Sequence, residues 1–338
     1  MPKIRYKADN FGSYYGSKLS GWNTLTVSWG EFIWAAVTVG RNSMRDILIH
    51  GQYSIYEMVY RSFLIYANLQ ETLSGNIIKS SAYKSLDPSE KSAVSYFIGL
   101  TSTKLICEKL LGVPWLMHLD VYKNLHPKLN NGKSRPDLVG LDQRGNWIVA
   151  EAKGRTNEFE PDALSKAKKQ TRNLRKVAGQ FPNLRMAVES YFDQFNAENP
   201  LAIRIEDPED FEPNAPDLEI TLNKYFADYY KPFVDLVDLA SEENVDSNSL
   251  FLKINLSEFD LSICINKRIY MLIKEQKQTG VNNILEMPID ENKSILSFDD
   301  ILDSYSVYVG NDGIAVILGE SWSRKEMCKP PHKRNGEI

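Results

Sequence analysis

Hydrophobic period changes sharply near the middle of the chain. Two short apolar runs, Leu138 to Leu141 and Trp147 to Ala152, flank the polar stretch Asp142-Gln143-Arg144-Gly145-Asn146. Apolar runs of that length around such a turn sequence predict a β-hairpin. A further strand is expected just before it, Trp115 to Tyr122, and two after it, Leu184 to Tyr191 and Leu201 to Ile205. Between these runs the period lengthens to that of helices. Asp87, Pro88 and Glu90 read as N-cap, N1 and N3 of a helix running to about Leu111 and stopped by Gly112. Its apolar stripe, Val94, Ile98, Thr101 and Leu105, continues into Glu108 and Gly112. Pro161 opens a second helix, expected to end near Gly179, with Ala163, Ala167, Gln170, Leu174 and Val177 on one stripe.

The flanks are patterned differently. Residues 1–86 read as a mostly helical N-terminal region. Capping boxes at Ser28/Glu31 and Ser54/Glu57 predict helices over about Trp29 to Val39 and Ile55 to Gln70. Aromatics crowd the stretch from Phe11 to Trp34; such residues can stack on bases but more commonly fill cores or interfaces. The expected core spans residues 87–207. Residues 208–219, acidic and proline-bearing, read as a linker. Residues 220–328 form a C-terminal α+β region: a helix from Leu222 to Ala240 with Tyr225, Tyr229 and Tyr230, then a hairpin of Tyr305 to Val309 and Ile314 to Leu318 around Gly310-Asn311-Asp312-Gly313. The tail, 329–338, is basic, proline-rich and expected to be disordered.

The chemistry concentrates on the central hairpin. Centring the turn near Arg144 places Asp137 opposite Glu151 or its neighbour. Strand alternation puts Glu151 and Lys153 on one face with Trp147 and Val149, and Ile148, Ala150 and Ala152 on the other. Directly opposed carboxylates sit about 5 Å apart, and like charges there destabilise a sheet. A divalent cation with oxygen ligands is the simplest balance, and such ligands suit Mg²⁺. An acid on the buried side of a helix, as Glu108 would be, is costly unless paired or metal-bound. A buried amide such as Gln170 needs partners.

Pro136-Asp137 followed by Glu151-Ala152-Lys153 resembles the signature of the PD-(D/E)xK nuclease superfamily, the restriction-endonuclease-like fold. The resemblance covers about a third of the chain. It implies an α/β fold, an αβββαβ core with the helical N-terminal and mixed α+β C-terminal regions added. It implies that Asp137, Glu151 and the backbone carbonyl of Ala152 bind Mg²⁺, with Mn²⁺ able to substitute, and that Lys153 assists the attacking water. Glu108 matches the family's upstream metal-binding glutamate, and Gln170 its helical glutamine, placed to hold Lys153 or the scissile phosphate. The implied activity is phosphodiester hydrolysis, foremost as a DNA endonuclease with RNA as the other substrate. Many bacterial members act in restriction or phage defence.

Charge supports a nucleic-acid partner. Residues 123–176 hold 13 basic and 6 acidic side chains, +7 locally in a chain of net charge −4. Lys166, Lys169, Arg172 and Lys176 are expected on the helix side away from Gln170, with Lys168 and Arg175 nearby, a pattern suited to a phosphate backbone. A solvated helix face is the alternative use of such a run. With 338 residues, 43% hydrophobic and 25% charged, the chain can build a substantial core. A charged N-terminus, no apolar run of membrane-spanning length and three scattered cysteines (Cys107, Cys264, Cys328) lead to an expectation of a cytoplasmic protein without signal peptide, disulfide framework or zinc cluster. The sequence lacks a Walker loop, a Rossmann glycine fingerprint and Gly-x-Ser-x-Gly. His118 falls on an expected strand and reads as a packed or solvent-facing strand histidine. Two other readings stay open: a non-cutting nucleic-acid-binding or scaffolding subunit, and a nuclease silent until a partner binds. The N- and C-terminal regions are where a partner protein or a second copy would dock.

Overall fold

The structure is a computed structural model that describes residues 1–39, 53–122, 134–208, 210–240, 245–246, 250–275, 284–285 and 305–323. It is a mixed α/β protein. Its main sheet has seven strands: β1 (Lys3–Asp9), β2 (Gly21–Thr26), β5 (Trp115–His118), β6 (Leu138–Leu141), β7 (Trp147–Gly154), β8 (Leu184–Phe192) and β9 (Leu201–Glu206). Their order is β2-β1-β9-β8-β7-β6-β5. The β7–β8 and β9–β1 pairs are parallel and the rest antiparallel. A small ribbon of β3 (Leu69–Glu71) and β4 (Ile77–Lys79) forms a separate sheet, joined to the main one by single bridges from Asn76 to Lys3 and from Ile78 to Pro200.

The helices are α1 (Trp29–Thr38), α2 (Tyr53–Asn68), α3 (Ser81–Ser85), α4 (Pro88–Leu111), α5 (Pro161–Thr171), α6 (Leu222–Leu239) and α7 (Lys267–Lys274). Capping boxes start α1 at Ser28 and α4 at Asp87, and left-handed Gly112 ends α4. The side chains of the Ser54/Glu57 pair lie outside the described residues, as does the 329–338 tail. Helix α4 covers one face of β7. The contact is backbone to backbone: a Cβ on Gly154 would run into the Ser95 carbonyl, and one on Gly99 would stand 2.8 Å from the Gly154 nitrogen. Helix α5 covers the other face, where Leu164 and Ala167 pack with Ala187 of β8. None of the helices among the described residues is long and apolar enough to cross a membrane.

Three expectations need correction. The first region is not built of helices alone, because β1 and β2 extend the main sheet past β9; Ile4, Tyr6 and Ala8 alternate inward with Lys3 and Arg5 outward, a strand pattern. Helix α5 ends at Thr171 rather than near Gly179. Leu174 and Val177 are still buried, but on a loop: Val177 bridges Gln180 and Leu218, and Ala178 and Gly179 take positive φ. Residues of the expected linker are tied to that loop. Glu212 donates its N–H to the Arg172 carbonyl at 3.0 Å, and the Arg175 guanidinium grips both oxygens of Asp217 at 2.8 and 2.7 Å.

The C-terminal region packs on the core. Tyr225 of α6 donates to the carbonyls of Trp115 and Val139, each at 3.1 Å. A second sheet, ordered β10 (Val245–Asp246), β11 (Phe251–Leu256), β12 (Leu261–Asn266), β14 (Ile314–Leu318) and β13 (Ser306–Val309), packs against α1. The Gly30 N–H there donates to Ser306 Oγ at 2.9 Å.

Candidate active site

Local chemistry fixes the hairpin register. The Asp142 carboxylate accepts from the N–H groups of Arg144 and Asn146 at 2.9 and 2.7 Å, and Gly145 takes the left-handed conformation the turn requires. Leu141 then pairs with Trp147, Val139 with Val149 and Leu138 with Ala150. One step further, Asp137 stands opposite Glu151. The Asp137 N–H donates to Glu151 Oε2 at 2.8 Å, and the Ala152 N–H donates to Asp137 Oδ2 at 3.2 Å. The Lys153 ammonium pairs with Glu151 Oε1. The structure thus brings Asp137, Glu151, Ala152 and Lys153 together.

Glu151 is fully buried. Burial, then the nearby Asp137 charge, pushes its carboxyl up to about 8, against the pull of Lys153. Burial also raises Asp137, opposed chiefly by Lys153. Burial thus raises two neighbouring carboxyls, one of which carries the Lys153 ammonium.

Gln170 is placed differently from the expectation. It reaches not Lys153 but the Arg135 carbonyl, to which its Nε2 donates at 3.3 Å. Asn173 adds a bond from Nδ2 to the Ser134 carbonyl at 2.7 Å. The end of α5 therefore latches the segment that leads into Asp137. Arg135 in turn pairs with Asp120, whose N–H donates to His118 Nδ1 at 3.2 Å.

Glu108 is buried as expected but belongs to another cluster. Its Oε1 accepts from the Asn311 N–H at 2.9 Å and from Tyr308 at 3.3 Å. Burial, then Asp312, raises it to about 7, with Lys104 opposing. It faces the β13–β14 loop, not Asp137 and Glu151, so it is not part of their site.

The basic set divides. Lys166 and Lys169 are exposed and Arg172 is half-buried. Lys176 lies beyond the shortened helix, its ammonium 4.6 Å from the Phe181 ring centroid. Lys169 and Arg172 line a groove of about 360 Å³ with Lys168 and Arg204. The sequence reading missed Asn173, Asp120, Arg204 and Glu189. Glu189 pairs in register with Lys153 across β7 and β8 and is fully buried. A lone acid inside the apolar run Leu184 to Phe192 was the available signal for it.

Among the described residues, no group of three or more His, Cys, Asp or Glu side chains is gathered to hold a metal ion. The Asp137–Glu151 pair nevertheless fits a hard divalent cation. Its donors are all oxygen, its carboxyls are raised by burial and, at Glu151, by mutual repulsion, and Mg²⁺ commonly takes one or two carboxylates and completes its shell with water. No family model, curated protein or solved structure matches the chain.

Proposed function

We propose that the chain is a divalent-metal-dependent nuclease of the PD-(D/E)xK kind, acting foremost on DNA. The observation that supports this most is the opposition of Asp137 and Glu151 on adjacent strands, with Lys153 on Glu151 Oε1. A stable fold gains nothing from burying two facing acids; a metal site does. The order α4, β5, β6, β7, α5, β8, with β8 parallel to β7, supports the same reading, since that class builds its site on such a meander.

In this reading Asp137, Glu151 and the Ala152 carbonyl hold Mg²⁺ or Mn²⁺. The bound metal supplies charge neutralisation at the phosphate and a more acidic water. Lys153, with its ammonium on Glu151 Oε1, would orient the attacking water and offset charge on the phosphate oxygens. Gln170 and Asn173 hold the backbone that carries Asp137.

The test is incubation of the purified chain with supercoiled plasmid, linear DNA and RNA in Mg²⁺, Mn²⁺, Ca²⁺ or EDTA, beside Asp137→Asn. Cleavage with Mg²⁺ or Mn²⁺, lost in EDTA and in the variant, is expected. Calcium should support binding without cutting, because its looser geometry positions water poorly. Full activity of Asp137→Asn would refute the site.

A further inference from the structure

One register row crosses the main sheet from the candidate site to its far edge. Lys153 of β7 pairs with Glu189 of β8, Glu189 with Arg204 of β9, Arg204 with Lys7 of β1, and Lys7 with Trp22 of β2. Directly paired residues project from the same face. The row therefore leads from Lys153, past the start of α5, onto a stretch of sheet that α5 does not cover. Four strand spacings make this about 19 Å.

The far end of the row is aromatic and cationic. The Arg5 and Arg204 guanidiniums each lie 4.6 Å from the Trp22 ring centroid, and Arg204 is also 4.8 Å from Phe159. Trp22 is 44% exposed, unusual for the largest apolar side chain. Beside this ladder runs the groove between α5 and strands β9 and β1. Its acids are already engaged: Glu206 by Lys168 at 2.5 Å and Asp9 by Lys7 at 3.0 Å. Among the described residues, Lys169 and Arg172 have no carboxylate partner, and Arg172 and Arg204 each bury an Nε without a hydrogen-bond acceptor. Buried donors without acceptors beside unpaired cations are arranged to receive an anion.

We propose that this groove and the open face around Trp22 bind a single-stranded segment of nucleic acid, with phosphates on Lys169 and Arg172 and a base stacked on the Arg5–Trp22 end of the ladder. The identity of the ligand rests on the nuclease reading of the Asp137–Glu151 site. Single strand is favoured over duplex because the groove has the volume of a small-ligand pocket and because indole and guanidinium planes stack on unpaired bases. Helix α5 links the two places. Gln170, on one side, latches the Asp137 segment, while Lys168, Lys169 and Arg172 face the groove.

The test is fluorescence anisotropy of a labelled 16-nucleotide oligothymidine, and of the same length of duplex, with the full-length chain in EDTA so that nothing is cut. Tighter binding of the single strand is expected. Trp22→Ala should weaken it about tenfold while Trp22→Phe stays near wild type. Lys169→Gln with Arg172→Gln should lower the salt-dependence slope by roughly 1.4, the value for two lost single-strand phosphate contacts. Unchanged melting temperatures would show that the variants fold. Absence of oligothymidine binding, equal or tighter binding of duplex, or binding indifferent to Trp22→Ala and to the double variant would overturn the groove. Metal-dependent cleavage that disappears in Asp137→Asn while groove variants bind normally would overturn the groove alone. Trp22-dependent binding by a chain that never cuts would leave the groove standing and remove the nuclease reading.

Discussion

Asp137 and Glu151 hold each other through backbone N–H groups as well as facing each other: Asp137 donates its N–H to the Glu151 carboxylate, and the residue after Glu151 donates to the Asp137 carboxylate. These bonds favour the ionised acids, yet burial outweighs them and raises Glu151 to about 8. A carboxyl with a higher pKa folded than unfolded binds more protons in the folded state between the two values. Stability of the metal-free chain should then fall as pH rises from about 4.5 to about 8. Glu151→Gln should flatten that fall and raise the melting temperature at pH 8. Mg²⁺ should raise the wild-type melting temperature more at pH 8.5 than at pH 6, because the proton competes for the same oxygens. A Glu151→Gln chain with the wild-type pH profile would contradict this account.

The α5 latch makes a separate prediction. Gln170→Leu keeps the bulk of the side chain and removes the bond to the Arg135 carbonyl. Unfolding free energy should change by less than about 1 kcal/mol. Turnover should fall about tenfold, near 1.4 kcal/mol of transition-state stabilisation, through looser placement of Asp137. Adding Asn173→Ala removes the second bond and should deepen the loss. Single-turnover plasmid nicking reads both; wild-type rates in the double variant would show that the latch does not position Asp137.

The hairpin and its facing acids were legible in the sequence because they are local: an Asp–Gly turn sets the register, and alternation sets the faces. Burial of Glu108 was legible too, from the stripe that contains it. Its partner was not, because Asn311 lies 203 residues away and nothing in a helical stripe says which element will cover it. The length of α5 was misread for a related reason. Leu174 and Val177 fall at helical spacing but are buried on a loop, where Val177 bridges Leu218. The Lys166 to Lys176 set inherited that error, so its four cations do not share one surface.

Lys104 carries a prediction about how the C-terminal sheet is held. Fully buried, it donates to the Pro114 carbonyl and to Tyr229 Oη, and its ammonium lies 4.0 Å from Asp312 Oδ2 and 4.6 Å from the Trp34 ring. Lys104→Met fills the space but leaves the acids of Asp312 and Glu108 without their cation. Unfolding in urea should show a loss of about 3–5 kcal/mol. Asp312→Asn on that background should recover part of it, since the orphaned charge is removed. A loss below about 1 kcal/mol would mean that the cluster is not what secures the β13–β14 hairpin to α4.

Gly154 tests whether the fold tolerates any space between α4 and the strand that carries Glu151 and Lys153. A side chain there would meet the Ser95 carbonyl, which is backbone and cannot rotate away. The whole helix, or the end of β7, must shift. Gly99 makes the same contact from the helix side, with 2.8 Å to the Gly154 nitrogen. Overpacking of this kind costs about 1–3 kcal/mol. Gly154→Ala should therefore lower stability by at least that range and displace Lys153, its chain neighbour, from Glu151 Oε1. Cleavage should fall further than stability alone explains, measured at a temperature where the variant is fully folded. Gly145→Ala is the control: it strains a positive-φ turn at the other end of the hairpin with no atom within 4 Å of its Cβ, so it should reduce stability while leaving the turnover of the folded fraction intact. Equal effects on turnover from both glycines would show that the α4–β7 contact does not set the position of Lys153.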